Sequence, residues 1–165
     1  MKVQDNFLRN DLFKFILNTI NDTNFCWQCN KIVSEEKFQS DLKYNKQFVH
    51  KIYPSLGLYN EYYEIFQLVL LDLNIKELLR MKLNFIPRTE KIIRHGFHID
   101  TEEYSKTSIL YFNTNDGYTE FEKTGEKVQS VANRIVTFDS SEKHLGTTCT
   151  NDYARLVLNL SLIHI

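Results

Sequence analysis

The chain has 165 residues and a net charge of −1, with 20 basic and 21 acidic side chains. That length suits one domain with a real core, and the near-neutral balance excludes a broad phosphate-facing field, leaving at most a local patch for nucleic acid. Its 12 Phe and 9 Tyr against 5 Gly and 2 Pro exclude a disordered or linker-rich chain.

The opening Met1-Lys2-Val3-Gln4-Asp5-Asn6 lacks the apolar run of a signal peptide. The most apolar stretch, residues 65–75, is interrupted by Gln67 and Asp72 and is too short to span a bilayer. A soluble cytoplasmic protein is the expectation. Residues 10–20 read as a helix, because Leu8, Leu12, Phe13, Ile16 and Ile20 recur at helical spacing, with Asn10 or Asp11 as the cap. Asn21-Asp22-Thr23-Asn24 ends it as a turn.

Residues 25–27 form a short strand candidate. Cys26 and Cys29 make a CxxC, with Cys149 as the third cysteine. An odd count fits a reducing compartment. A thioredoxin-like pair needs a strand before it and a helix starting at its first Cys, whereas this pair follows a helix and precedes polar, strand-like sequence. A zinc site needs a second ligand pair, and the sequence has no second CxxC or HxxxH. The simplest reading is two small apolar side chains in a short strand. Residues 32–45 are polar and read as loop. Residues 47–53 are strand-like and stop at Pro54.

A second helix is expected over residues 60–73, with Tyr63, Ile65, Phe66, Val69 and Leu70 covering more than one face. Residues 78–85 then alternate. Leu79, Met81, Leu83 and Phe85 take one side and Arg80, Lys82 and Asn84 the other, which is a half-buried strand ended by Pro87. Everything beyond reads as β. A strand over 91–100 would set Ile92, Arg94, Gly96, His98 and Asp100 on one face and His95 on the other. Residues 107–113 follow, then Asn115-Asp116-Gly117 as a hairpin signal in which Gly accepts positive φ. Next come Tyr118 to Phe121, a Thr124-Gly125-Glu126 turn, a strand over 128–131, a turn at Asn133-Arg134, and strands over 135–138 and 153–162. In the last, Ala154, Leu156, Leu158, Leu160 and Leu162 share a greasy face opposite Tyr153, Arg155, Val157, Asn159 and Ser161.

Two helices followed by about seven short strands predict a mainly β fold, a double-stranded β-helix (jelly roll, cupin-like) with helices packed on one sheet. A single domain over 1–165 is expected, with 1–76 as helical N-terminal support and 77–165 as the jelly-roll core.

The chemistry concentrates in His95-Gly96-Phe97-His98-Ile99-Asp100-Thr101. In a strand, His98 and Asp100 point the same way. One more His from a distant strand completes two His and one carboxylate, the ligand set of mononuclear non-haem Fe(II) oxygenases. His144 supplies it. On this face-alternation argument His95 is turned away and is structural or solvent-facing. Arg155 is a lone guanidinium in a greasy closing strand and needs an anionic partner if buried. His50 and His164 read as bystanders, and Arg94 as a solvated strand-end residue unless it and Asn159 face the pocket.

With those residues in place, residues 79–162 resemble the 2-oxoglutarate- and Fe(II)-dependent dioxygenases of the prolyl 4-hydroxylase-like branch, most closely small phage and marine bacterial members. The resemblance is carried by His98-Ile99-Asp100, by Thr107 to Asn113 as a T-x-I-x-Y-x-N strand, and by Asp116-Gly117-Tyr118-Thr119-Glu120-Phe121. Arg134 to Phe138, His144 and Arg155 complete it. Departures are the absence of any Tyr from Glu64 to Phe97 and Asn133 in place of a turn glycine. The resemblance implies a catalytic and metal-binding trio of His98, Asp100 and His144 holding Fe(II). It implies 2-oxoglutarate as cosubstrate with O2, Arg155 and Tyr111 on the far carboxylate, and ascorbate as an accessory reductant. The products would be succinate, CO2 and a hydroxylated small-molecule or peptide substrate, prolyl or otherwise, in a cell that a phage could have infected. Two other readings stay open: a cupin-like metal protein without oxidative chemistry, and a structural jelly roll with a decayed site.

Overall fold

The computed structural model describes residues 1–31, 46–53, 60–101 and 105–164. The expected loop over 32–45, Pro54 and the side chain of His164 lie outside them. In chain order the strands are β1 (Lys2–Gln4), β2 (Gln28–Lys31), β3 (Lys46–Tyr53), β4 (Ile75–Pro87), β5 (Lys106–Tyr111), β6 (Tyr118–Phe121), β7 (Lys127–Gln129), β8 (Arg134–Asp139), β9 (His144–Gly146) and β10 (Ala154–His164). Helix α1 (Asn10–Ile20) follows β1, and helix α2 (Tyr63–Phe66) runs into a 3-10 helix (Gln67–Asp72) before β4.

A seven-stranded antiparallel sheet in the order β1-β8-β5-β10-β4-β3-β2 faces a three-stranded sheet, β7-β6-β9. This is the double-stranded β-helix that the turn and strand pattern predicts, with the helices on the outer face of the large sheet. The first 76 residues supply three of its strands, β1 through β8 and β2 and β3 through β4.

Strand alternation builds two cores. Leu156, Leu158, Leu160 and Leu162 of β10 and Met81 and Leu83 of β4 bury against Phe13, Ile16 and Ile20 of α1 and against Phe66 and Val69. Each fully buried aliphatic contributes about 1.5–3 kcal/mol. On the other face Ile109, Tyr111, Val136, Phe138 and Val157 meet Phe121 and Val128 of the small sheet. No residue of β3 or β4 belongs to this second cluster, so the cavity described below opens over that end of the large sheet.

Five expectations need correction. The cap of α1 is Arg9, without a side-chain cap bond, and Asp11 sits in the first turn. The strand expected at 25–27 lies at Gln28–Lys31; Cys26 and Cys29 are free and exposed there rather than packed as small apolar side chains. The second helix is shorter and tighter than expected. Phe66 and Val69 are its buried residues, three apart, which matches the 3-10 period, and Leu71 faces solvent. Asn115-Asp116-Gly117 makes no hairpin, because β5 belongs to the large sheet and β6 to the small one. Residues 91–100 are not a continuous strand. Their bridges are isolated ones, Arg94 with Thr147 and His98 with His144.

The Thr124-Gly125-Glu126 turn does form, with Gly125 at φ 69°. Asn133 adopts φ 62°, as asparagine can. Its amide bonds the N–H and C=O of Leu8 at 2.8 Å each, tying the chain start to the β7–β8 turn. Among the described residues no helix is long and apolar enough to cross a membrane.

Candidate metal centre

The five residues 94–98 lie opposite only four of their partner, 144–147. That is a bulge, which inserts one residue and re-aims its neighbours. The backbone still closes tightly at the metal end, with reciprocal N–H to O bonds of 3.0 Å between His98 and His144. Asp100 is anchored by its N–H to the Ser140 carbonyl at 3.1 Å. The side chains of His98, Asp100 and His144 therefore converge, and their donor atoms all lie within 4.8 Å of one another.

The protons and charges on these groups suit a divalent cation. His144 Nδ1 sits 2.9 Å from the Glu142 carbonyl and His98 Nδ1 sits 3.2 Å from that of Gly96. A carbonyl there holds the ring proton on Nδ1 and leaves the Nε2 lone pair for a metal. Burial is the main cause that pushes the His144 pKa down, against the attraction of Asp100, so the ring is neutral. For Asp100, burial acts upward, but Arg80, His144 and Thr107 together outweigh it and lower the pKa. Arg80 Nη2 donates to Oδ1 at 2.8 Å and Thr107 Oγ1 to Oδ2 at 2.7 Å, so the carboxylate is ionised and fixed. Two imidazoles and one carboxylate, with the rest of the cavity open beside them, are a donor set that fits Fe(II).

Arg155 lies in the same cavity, 2 % exposed. Its Nε donates to Ser130 Oγ at 2.7 Å and its Nη2 to Thr119 Oγ1 at 2.9 Å. Among the described residues no carboxylate pairs with it. Two glycines make its space. A Cβ on Gly117 would meet Arg155 Cδ at 2.7 Å, and one on Gly146 would meet Nη1 at 3.1 Å. Gly117 is thus required by close approach, not by positive φ.

Tyr111 is fully buried behind this cation and does not line the cavity. Its hydroxyl donates to Thr119 Oγ1 at 2.8 Å. Thr119 does line the cavity and accepts from both Tyr111 and Arg155, so its own O–H is left to donate. Sequence reasoning missed Thr119; its position two residues after Gly117 on β6 was the available signal.

His95 was expected to face away. It is instead 6 % exposed and lines the cavity, because the bulge breaks the alternation on which that expectation rested. Burial first, then Arg155 and His98, hold its pKa down at about 4, so it is a neutral donor or acceptor. Arg94 is drawn off to Glu120, with contacts of 2.7 and 3.2 Å, whereas Asn159 does reach the cavity. His50 is a bystander: Nδ1 meets the Cys26 carbonyl at 2.7 Å, and the ring packs on Phe25 and Tyr62.

The fold is a jelly roll similar in architecture to solved prolyl hydroxylases and a 2OG-Fe(II) oxygenase. A prolyl-4-hydroxylase from Pseudomonas putida superposes with a TM-score of 0.65 at 16% identity, covering 99% of this chain and 92% of that one. A 2OG-Fe(II) oxygenase family oxidoreductase from Burkholderia pseudomallei gives 0.65 at 11% identity, over 90% and 79% of the two chains. A prolyl hydroxylase from Trichoplax adhaerens, solved with a hypoxia inducible factor peptide fragment, gives 0.64 at 13%, over 98% and 82%. No protein-family model and no curated protein matches the sequence; at these identities the likeness is one of fold.

Proposed function

We propose that the chain is an Fe(II)- and 2-oxoglutarate-dependent dioxygenase that hydroxylates a substrate C–H bond. The observation that carries this reading is the convergence, in one cavity of about 180 Å³, of His98, Asp100 and His144 with a buried Arg155 that lacks a carboxylate. His98 Nε2, His144 Nε2 and an Asp100 oxygen would hold the metal. Bound iron and 2-oxoglutarate supply O2 activation, with release of succinate and CO2.

The chain's own residues do the rest. Arg155 offers a planar fork to the distal carboxylate of the cosubstrate. Ser130 and Thr119 hold the guanidinium in place, and Tyr111 acts through Thr119 as a positioning residue. Thr119 adds an O–H donor on the same side. Arg80 and Thr107 hold Asp100 in one orientation, and Phe138 packs edge-on against His144 at 4.6 Å, which keeps water from that side of the ligand set.

The reading is tested anaerobically by adding Fe(II) and then 2-oxoglutarate to metal-free protein. A visible charge-transfer band should appear and be lost in His98→Ala. Fe(II) binding without the band would move the cupin-like reading ahead, and failure to bind Fe(II) would favour a decayed site.

A further inference from the structure

Four buried side-chain polar atoms among the described residues have no hydrogen-bond partner: Arg80 Nε, Asn84 Oδ1, His95 Nε2 and Asn159 Oδ1. All four residues line the cavity of the metal centre. An unsatisfied buried polar group is costly and uncommon in a native fold, so its concentration at one place marks a surface built for a polar ligand. The four divide into two groups. His95 stands near Arg155. Arg80, Asn84 and Asn159 surround Lys82 on β4 and β10.

Charge makes the same division. Among the described residues, Arg80, Lys82 and Arg155 are the Lys and Arg side chains that line the cavity, and Asp100 is its carboxylate. Arg80 takes Asp100 at 2.8 Å, and among the described residues neither Lys82 nor Arg155 has a carboxylate partner of its own. Lys82 stands directly opposite Lys51 on β3 and opposite Asn159 on β10. Like charges directly opposite in a sheet repel, and among the described residues no carboxylate forms an ion pair with either lysine. Burial foremost, and Arg80 next, push the Lys82 pKa down to about 8 against Asp100, so the ammonium is held charged at neutral pH at a cost. Arg155 is level with Ile86, and Lys82 with Asn159. Along β10 that is four residues, or roughly 13 Å between the two levels. The two cations thus enter the cavity from separate levels of the sheet.

We propose that Lys82 and its neighbours Asn84 and Asn159 form the site for the primary substrate, and that this substrate is a small anion carrying a carboxylate or phosphate together with N–H or O–H donors. This rests on the oxygenase reading only in giving Arg155 to the cosubstrate. Lys82 binds the anionic group, and the asparagine carbonyls accept from the donors. The same cavity of about 180 Å³ also has to take the metal and 2-oxoglutarate, which leaves room beside Lys82 for a small molecule only. A neutral prolyl peptide would leave Lys82 with only the carboxylate of Asp100, which Arg80 already holds.

The test is anaerobic titration calorimetry on protein loaded with Fe(II) and 2-oxoglutarate. The probes are the free amino acids, their carboxamides, glycerol phosphate and a blocked prolyl peptide. At least one carboxylate or phosphate should bind tenfold or more tightly than its neutral counterpart. Lys82→Met should erase that preference and Lys82→Arg restore it, while 2-oxoglutarate affinity changes less than twofold in both. A carboxylate or a phosphate winning the panel identifies the source of the anion. Carboxamides or the peptide binding as well as the anions would overturn the proposal, as would no anion binding at millimolar concentration. A tenfold loss of 2-oxoglutarate affinity in Lys82→Met would also overturn it, by assigning Lys82 to the cosubstrate. Failure of wild-type protein to bind 2-oxoglutarate would sink the oxygenase reading instead, and the anion preference at Lys82 would still be read from the same titration.

Discussion

The two faces of β4 and β10 are made by the same backbone and do opposite jobs. Outward, Met81, Leu83, Leu156, Leu158, Leu160 and Leu162 are buried and purely apolar beneath the helices. Inward, Arg80, Lys82, Asn84, Arg155 and Asn159 line a cavity and include three of the four unpartnered buried polar atoms. One face carries stability, while the other leaves buried polar atoms of Arg80, Asn84 and Asn159 without partners, a cost in stability that a ligand site would explain. Changes on the outer face should therefore alter folding without altering ligand preference, and changes on the inner face should do the reverse.

The largest expected effect breaks the outer face. Leu158 is 0 % exposed and sits in register with Leu83 and Leu110. Leu158→Ala should cost about 2–5 kcal/mol of unfolding free energy, read by urea denaturation. Fe(II) affinity of the folded fraction should stay as in wild type; a parallel loss of metal binding would show that the faces are coupled.

Next is Arg155. Arg155→Met should raise the 2-oxoglutarate concentration for half-saturation by about 30-fold or more, because a charge-assisted pair in a buried site is worth about 2–5 kcal/mol. Fe(II) affinity, measured without cosubstrate, should move little. An equal loss of both would show that Arg155 supports the fold of the site rather than the carboxylate.

Thr119→Val comes third. It removes the hydroxyl between Tyr111 and Arg155 at nearly constant shape. Loss of one neutral hydrogen bond is worth about 1 kcal/mol, so 2-oxoglutarate affinity should fall roughly fivefold. Unchanged affinity would leave Tyr111 and Thr119 as core residues only.

The smallest effect is on stability and has the opposite sign. Lys82→Met should raise the melting temperature by a few degrees at pH 7, since it removes a charge buried at a cost while keeping most of the apolar stem. The pKa of Lys82 is about 8 in the native chain against 10.5 ordinarily. Below pH 8 the penalty is fully present. Between pH 8 and about 10.5 the unfolded chain holds a proton that the native one has lost, so wild-type stability rises with pH relative to the variant. The gap should close over that window in melts of the two proteins, and a gap that widened there would contradict the assignment.

Much of this was legible in advance where one periodicity governs. Helix α1 appears over the residues its 3.6-residue pattern marks. The alternation of Met81 to Phe85 and of Ala154 to Leu162 separates a greasy face from a polar one, because a pleated strand has a strict period of two; at Leu79 it fails, because a register shift between Ser161 and Leu162 puts Leu78 against the core instead. The trio of His98, Asp100 and His144 was visible as residue types at fitting offsets, and the structure brings them together.

What periodicity could not reach depends on partners distant in the chain. The bulge that turns His95 inward exists only in the pairing of residues 94–98 with residues 144–147. Gly117 looks like a turn residue until Arg155, far along the chain, is found where its Cβ would be. Thr119 gains its meaning from Tyr111 and Arg155 meeting on one oxygen. The facing of Lys82 by Lys51 is set by the register of β3 on β4. By itself the sequence determined which residue types share a face and which chemistry they could perform, because those follow from local backbone geometry. Only the tertiary structure decided which of them are buried together and left without partners, because cross-strand register and the space around a side chain are properties of contacts made across the chain.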